Sequence, residues 1–398
     1  MQNIKKLSLN IEMVVLFLIF ITSMNMFGKY FYLLFAAFIL LAIAIRKIKI
    51  DWITILLIVF SLFYMIFSIG MGNSLSVVFK QLAYPIAYLI GLNLFSFDER
   101  SDNGCDNRDL CHRKIFSVIF CMAAGSLLHY ILNMVTNLGS LNRNTIDIWS
   151  GSVMAATGQA TLAMLAVCYF ITILFRNVHW KWKILSIFGC LIIFTYNLIL
   201  SVRLLILIYA IVFIEAFIFS LRGKTVKGLK KRYLITLFAI IIIVMAFQFN
   251  WFGLADAINA TNLFKRIESM GFFNDTRLNF KIQYILLMFK HPFGGEKIHD
   301  VVGNYAHDII LDTYSDVGFI GAVLLIVFLV VSVVQMVKFI INNKFSIDSR
   351  MLVLCTGTVF LIVFFFEPIL SGMAWFFCSF CLFQGALTSM NRSVRLWG

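Results

Sequence analysis

The hydrophobic positions of this chain do not alternate with polar ones. They run together in stretches of about 17–25 residues, long enough to cross a hydrocarbon layer of about 30 Å as helices. A spanning segment must satisfy its own backbone hydrogen bonds, so runs without a period of two predict helices and not a barrel. The pattern predicts twelve spans: 11–27, 30–45, 52–70, 76–95, 115–136, 151–175, 184–200, 204–221, 233–251, 317–338, 351–367 and 370–388. The expected fold is an all-α polytopic membrane protein, with residues 1–398 forming a single integral membrane domain. The first run lacks a small-residue cleavage site and is followed at once by another span, so it reads as a span and not as a cleaved signal.

One long segment breaks the ladder. Residues 252–316 separate spans nine and ten, and long ordered loops commonly carry function. Its periodicity predicts three short helices. The first covers 255–270. The second covers 276–290, with Leu278, Ile282, Ile285, Leu286 and Phe289 on an apolar face and Arg277, Lys281 and Tyr284 at helical spacing on another. Pro292, Gly294 and Gly295 end it. The third, over 304–316, puts His307, Leu311 and Tyr314 on one face and Asp308 and Asp312 on its neighbour. Gly318 and Gly321 then allow close packing where the chain meets the membrane.

Composition supports the ladder: 61% of residues are hydrophobic and 13% charged, against about 25% charged in soluble domains. The net charge of +14 raises the question of nucleic acid, but its distribution answers it. Most Lys and Arg fall in alternate short loops, as positive-inside topology requires, so no nucleic-acid partner is expected and both termini are expected in the cytoplasm. Six of the eight cysteines lie within spans and read as small apolar filler. Cys105 and Cys111, with His112 beside them, share a polar loop whose spacing fits no strong zinc pattern. No metal and no cofactor are expected.

The basic residues that break the topology rule are the informative ones. Arg203 follows span seven in SVRLL, Arg277 sits in the long segment, and Arg143 lies in RNTIDIWSG after span five. An arginine at membrane depth costs about 2.5–3.5 kcal/mol on insertion scales, so it needs an anionic partner. Converging guanidinium groups would hold a diphosphate through paired N–H donors. The structural alternative pairs Arg203 with Glu367 or a loop aspartate, or lets it reach the headgroups. Lys80, Lys265, Arg266 and Lys281 read as headgroup contacts by the same logic. His307 suits proton abstraction from a sugar hydroxyl, with Asp312, Asp316 or Glu367 as its orienting acid, although a lone interfacial histidine is commonly structural. His291 and His299 compete for that role. His129 and Glu367 are intramembrane ionisable groups, and Thr157, Gln159 and Thr161 serve as polar packing or ligand contacts. No Walker loop, dinucleotide-binding glycine motif, HExxH or serine-hydrolase elbow is present, so nothing binds ATP.

Three elements occur in one order: SVR at the end of a span, a long segment with Arg277 and HPFGG, then YAHD followed by SDVGFIG at the next span. In this the chain resembles the O-antigen polymerase and ligase superfamily of bacterial cell envelopes, over residues 140–321. RNTIDIWSG and the ATGQAT span are similar to the polymerase branch. The resemblance implies a helical membrane fold related to GT-C glycosyltransferases, sited in the bacterial inner membrane with its active site on the outer face. It implies undecaprenyl-diphosphate-linked glycans as substrates, a chain-length regulator as protein partner, and neither nucleotide sugar nor metal. Arg203 and Arg277 would then hold the diphosphate and His307 would assist the acceptor hydroxyl. Arg143, Arg266, Lys281, Asp312 and Tyr314 are the candidate substrate-binding residues. The expected activity is repeat-unit polymerisation. The alternatives are ligation of the glycan to lipid A core and, from a different class, a lipid-linked oligosaccharide flippase.

Overall fold

The computed structural model describes residues 2–45, 47–70, 74–94, 107–139, 143–222, 245–270, 277–291, 293–294 and 297–395. Cys105, the side chains of Cys111 and His112, the side chain of His299, Pro292, Gly295 and the ninth expected span up to residue 244 lie outside it. The apolar runs fold as helices: α1 (Gln2–Ser23), α2 (Tyr30–Ala44), α3 (Trp52–Gly70), α4 (Ala83–Leu94) and α5 (Asn107–Thr136). A two-stranded hairpin, β1 (Thr145–Ile146) and β2 (Val153–Met154), precedes α6 (Ala156–Phe175), α7 (Trp180–Leu200) and α8 (Arg203–Leu221). Four short helices follow: α9 (Leu254–Asn259), α10 (Asn262–Met270), α11 (Arg277–Met288) and α12 (Lys297–Val302). Three longer ones end the chain: α13 (Ile309–Ile341), α14 (Ile347–Phe366) and α15 (Ala374–Arg395). Among the described residues seven helices are long and apolar enough to cross a membrane: α3, α5 from Arg113, α6, α7, α8, α13 and α14. Ile11–Ser23 and α2 are shorter apolar helices. The protein is therefore an all-α, multi-pass membrane protein.

Several expected elements differ from the helices found, two of them by a break. The expected span 76–95 is broken into Leu75–Phe79, a 3-10 turn at Lys80–Leu82, and α4. Pro85 is the cause. It has no N–H to give the Gln81 carbonyl and its ring crowds that carbonyl. The Ser61 hydroxyl of α3 donates to the Gln81 oxygen instead, at 2.9 Å. The expected helix 255–270 is two helices, α9 and α10, parted at Ala260 and Thr261.

The chain divides into two compact units, Met1–His129 with Asp275–Gly398, and Tyr130–Asn274. In the first, α4 and α15 pack backbone to backbone. A Cβ on Gly91 would collide with the Leu382 carbonyl oxygen, and one on Gly385 with that of Tyr88. Such small-residue crossings let helices approach where lipid offers no hydrophobic drive. Aromatic rings fill the space beside the crossing, with Phe360 and Phe376 centred 4.9 Å apart and Phe364 and Phe380 4.9 Å apart. Gly91→Ala should cost at least the ~1–3 kcal/mol of an overpacked core. A thermal melt in detergent checks this, with Gly139→Ala, which meets nothing within 4 Å, as the neutral control.

In the second unit the hairpin is held by amides. Asn133 donates to Gln159 at 2.9 Å and to Asp147 at 3.3 Å, and accepts from the Ile148 N–H at 2.9 Å. Asn137 both donates to the Ile146 carbonyl and accepts from the Ile146 N–H. Asp147 is buried and takes the Ser150 N–H and hydroxyl. Gln159 therefore acts as packing glue, one of the two roles its position allows.

Candidate functional site

α11 presents its polar face as the spacing predicts. Arg277, Lys281 and Tyr284 lie four and three residues apart and reach one neighbourhood of the first unit. The Arg277 guanidinium donates to Glu367 Oε1 at 3.1 Å and to the Phe366 carbonyl at 2.5 Å. Lys281 Nζ donates to Asp308 Oδ2 at 3.3 Å and to the Phe365 carbonyl at 2.5 Å, and lies 5.2 Å from the Phe366 ring centre. Both cations thus cap the C-terminal carbonyls of α14, where the helix dipole favours positive charge. The helix ends there because Glu367 precedes Pro368, which bars helical geometry at the residue before it. Glu367 is wholly buried, and Arg277 supplies it with a counter-charge at 3.1 Å. Glu367, weighed above as a partner for Arg203, is bonded to Arg277.

Tyr284 is buried and donates to the Asn304 carbonyl at 2.8 Å. Burial, with the nearby charge of Asp312, pushes its phenol above the usual range. It is therefore a neutral donor that fixes the start of the loop carrying His307.

That loop overturns one expectation. Residues 304–308 are not helical, and His307, Leu311 and Tyr314 do not share a helix face. α13 begins at Ile309, and Asp308 is its N-cap, in extended geometry, accepting from the Ile310 and Leu311 N–H groups. His307 has φ of +55°, a left-handed conformation that a residue with a Cβ adopts at a cost of roughly 1–2 kcal/mol. Asp312 holds it there. Its Oδ1 accepts the Ala306 N–H at 2.8 Å and its Oδ2 the Asp308 N–H at 3.2 Å, one on each side of the histidine. A buried carboxylate one turn inside the helix thus grips the backbone around a half-buried imidazole. Of the three acids considered for His307, Asp312 acts through this backbone grip. Asp316 also accepts from the Tyr64 hydroxyl at 2.5 Å, and Glu367 also accepts from Arg277.

The glycines of HPFGG and SDVGFIG explain each other. Gly318 sits inside α13 with φ 74° and ψ −171°, a conformation open essentially to glycine alone. Gly294 has φ +65°. A Cβ on Gly294 would strike the Tyr314 carbonyl oxygen, and one on Gly318 that of Phe293. Tyr314 locks the same contact, its one O–H shared between the Met288 and His291 carbonyls at 2.8 and 2.6 Å. Tyr314 is 2% exposed and sits in a small core with Tyr284, Ile298 and Leu311.

The other arginines belong to the second unit. Arg203 is the first residue of α8, and only Ser201, at φ +59°, and Val202 separate it from α7. Asn197 secures that break by donating to the Val202 carbonyl at 3.1 Å. Arg266 of α10 reaches the same break and donates to the Ser201 carbonyl at 3.3 Å. The Arg266 guanidinium and the positive end of α8 therefore meet at this break. Arg143 is exposed at the root of the hairpin and lines an open hollow with Asn144, Ile146 and Val153.

Sequence reasoning missed the capping role of Asp308. An Asp immediately before an apolar helical run is an N-cap signal, and it would have placed His307 outside the helix. No protein-family model matches this chain, and comparison with curated proteins finds no match.

Proposed function

We propose that this protein is a polysaccharide repeat-unit polymerase, transferring a growing glycan from a polyprenyl diphosphate to a lipid-linked repeat unit. The observation that carries this reading is the strained His307 at the head of a spanning helix, gripped by Asp312 and set in one unit with Arg277 and Lys281. A histidine and cations at the end of a spanning helix suit a reaction in which one substrate is anchored in lipid. The motif order described above supports the same assignment.

In the proposed step the His307 imidazole takes the proton of the acceptor hydroxyl as that oxygen bonds to the anomeric carbon of the donor. The bond from that carbon to the diphosphate oxygen breaks, and the polyprenyl diphosphate leaves with the electron pair. Negative charge grows on the leaving group, so cations held ready for it favour the transition state. Arg277 and Lys281 are the cations of the first unit. A diphosphate would compete with Glu367 and Asp308 for them. Arg203 keeps the diphosphate-holding role that the resemblance implies, and Arg266 and Arg143 stay substrate-binding candidates. The diphosphate linkage supplies the driving force, so neither nucleotide nor metal is called for. The finer topology belongs to this proposal: twelve spans, a GT-C-like arrangement, both termini cytoplasmic, and the His307 loop on the outer face of a bacterial inner membrane.

Purified protein in detergent, given undecaprenyl-diphosphate-linked repeat units without nucleotide and with EDTA, should yield a ladder of longer glycans and released lipid diphosphate. Transfer only after lipid A core is added would identify a ligase instead. Neither product from folded protein would favour transport.

A further inference from the structure

The end of the first unit remote from His307 holds a second feature that glycan transfer does not use. α13 has 33 residues broken at Gly318, and about 30 Å of helix carries it from there to Lys338 near its far end. There α13, α15 and the start of α3 enclose a cavity of about 310 Å³. Its polar wall is made of Gln335 and Lys338 of α13 and Asn391 and Arg392 of α15. Its apolar wall is made of Val331, Val334 and Trp52.

We infer that this cavity binds the phosphate of an anionic phospholipid headgroup, with one acyl chain laid along Val331 and Val334. The polar wall is set up to donate. Asn391 donates to Gln335 Oε1 and to the Gln335 carbonyl, both at 3.0 Å, which commits the acceptor of that amide and leaves its NH₂ as a donor. Arg392 is held by Asp51 at 2.7 Å, the one carboxylate bonded to this wall. Asp51 is 8% exposed and also accepts from Tyr88 at 2.9 Å and from the Thr54 N–H and hydroxyl, so it is consumed in fixing Arg392 and capping α3. Lys338 adds a second cation on an exposed side chain.

The other wall argues for a lipid over a free phosphate. Val334 is 43% exposed and Trp52 is 53% exposed, so the cavity opens sideways on an apolar strip. Trp at the first residue of a spanning helix is an interfacial residue, and Lys reaches from helix ends toward headgroups. A ligand with charge at one end and hydrocarbon at the other matches both walls at once.

The test uses full-length protein in detergent and native mass spectrometry. Phosphatidylglycerol, phosphatidylcholine and inorganic phosphate are titrated separately, then in competition. Wild type should retain one phosphatidylglycerol in preference to phosphatidylcholine, and millimolar phosphate should leave it in place. Lys338→Gln should weaken retention about fivefold, the usual worth of one basic residue facing anionic lipid. Lys338→Arg should restore it, and a thermal melt should show both variants folded. Equal retention of the two lipids, or Lys338→Gln binding like wild type, overturns the inference. Displacement by inorganic phosphate alone overturns its lipid part. The outcome is independent of glycan transfer.

Discussion

His307→Ala should collapse a ladder of polymerised glycan to single repeat units, while the protein accumulates in the membrane at its usual level. General base catalysis contributes about 10²–10⁴-fold, so the loss should be close to complete on a gel. The conformation of the residue makes the test sharper than an alanine variant alone. His307 has φ +55°, a region that Gly enters freely and Asn tolerates well. If the histidine serves only to shape the loop, His307→Gly and His307→Asn should keep most of the activity. If it handles a proton, both should be as inactive as alanine, and His307→Gly should melt higher than His307→Ala by about 1 kcal/mol of relieved strain. Asp312→Asn supplies the complementary variant. It leaves His307 in place but puts an N–H₂ where one of two backbone N–H groups must be accepted. It should lower the rate by loosening the loop, without abolishing activity as His307→Asn would. An active His307→Asn would remove the imidazole from the mechanism.

Much of this architecture is legible in the sequence because lipid imposes simple demands. Long apolar runs must be helices, and the ends of α3, α6, α7 and α8 fall within a few residues of the expected spans. The face of α11 that carries Arg277, Lys281 and Tyr284 follows from spacing alone. What was hidden depends on where two distant segments meet. The turn at Lys80 needs Pro85 together with a hydroxyl from α3, and hydropathy averages over both. The pairing of Arg277 with Glu367 joins residues ninety positions apart, and no periodicity connects them. The loop at His307 was misread for a local reason: continuing helical periodicity back through Asp308 ignored that an Asp at that position satisfies the N–H groups that start a helix. The glycines sit between these cases. Gly318 and Gly294 stand out in sequence, yet their cause is a contact that each makes with the other's segment.

The salt bridge of Arg277 gives the second prediction, which separates two roles that a single substitution would confuse. Glu367 has no side-chain exposure and Arg277 retains about a fifth, so removing the cation takes a bonded counter-charge away from a buried carboxylate. Breaking such a pair from one side typically costs about 3–5 kcal/mol, and Arg277→Ala should therefore lower both the melting temperature and the amount of protein in the membrane. Loss of glycan chains in that variant would say nothing about chemistry. The double variant Arg277→Ala/Glu367→Gln also removes the buried carboxylate's charge and keeps its shape, so it should recover most of the stability. If Arg277 also meets the lipid diphosphate, the double variant should be stable and still inactive. Arg277→Lys bears on the same point, because an ammonium cannot reach Glu367 and the Phe366 carbonyl with the fork of a guanidinium, nor hold phosphate oxygens in pairs. It should fold, since charge is kept near Glu367, but polymerise poorly. Full chain length from the double variant, measured on the same gel as wild type, would reduce Arg277 to a structural cap on α14 and leave the diphosphate to other cations.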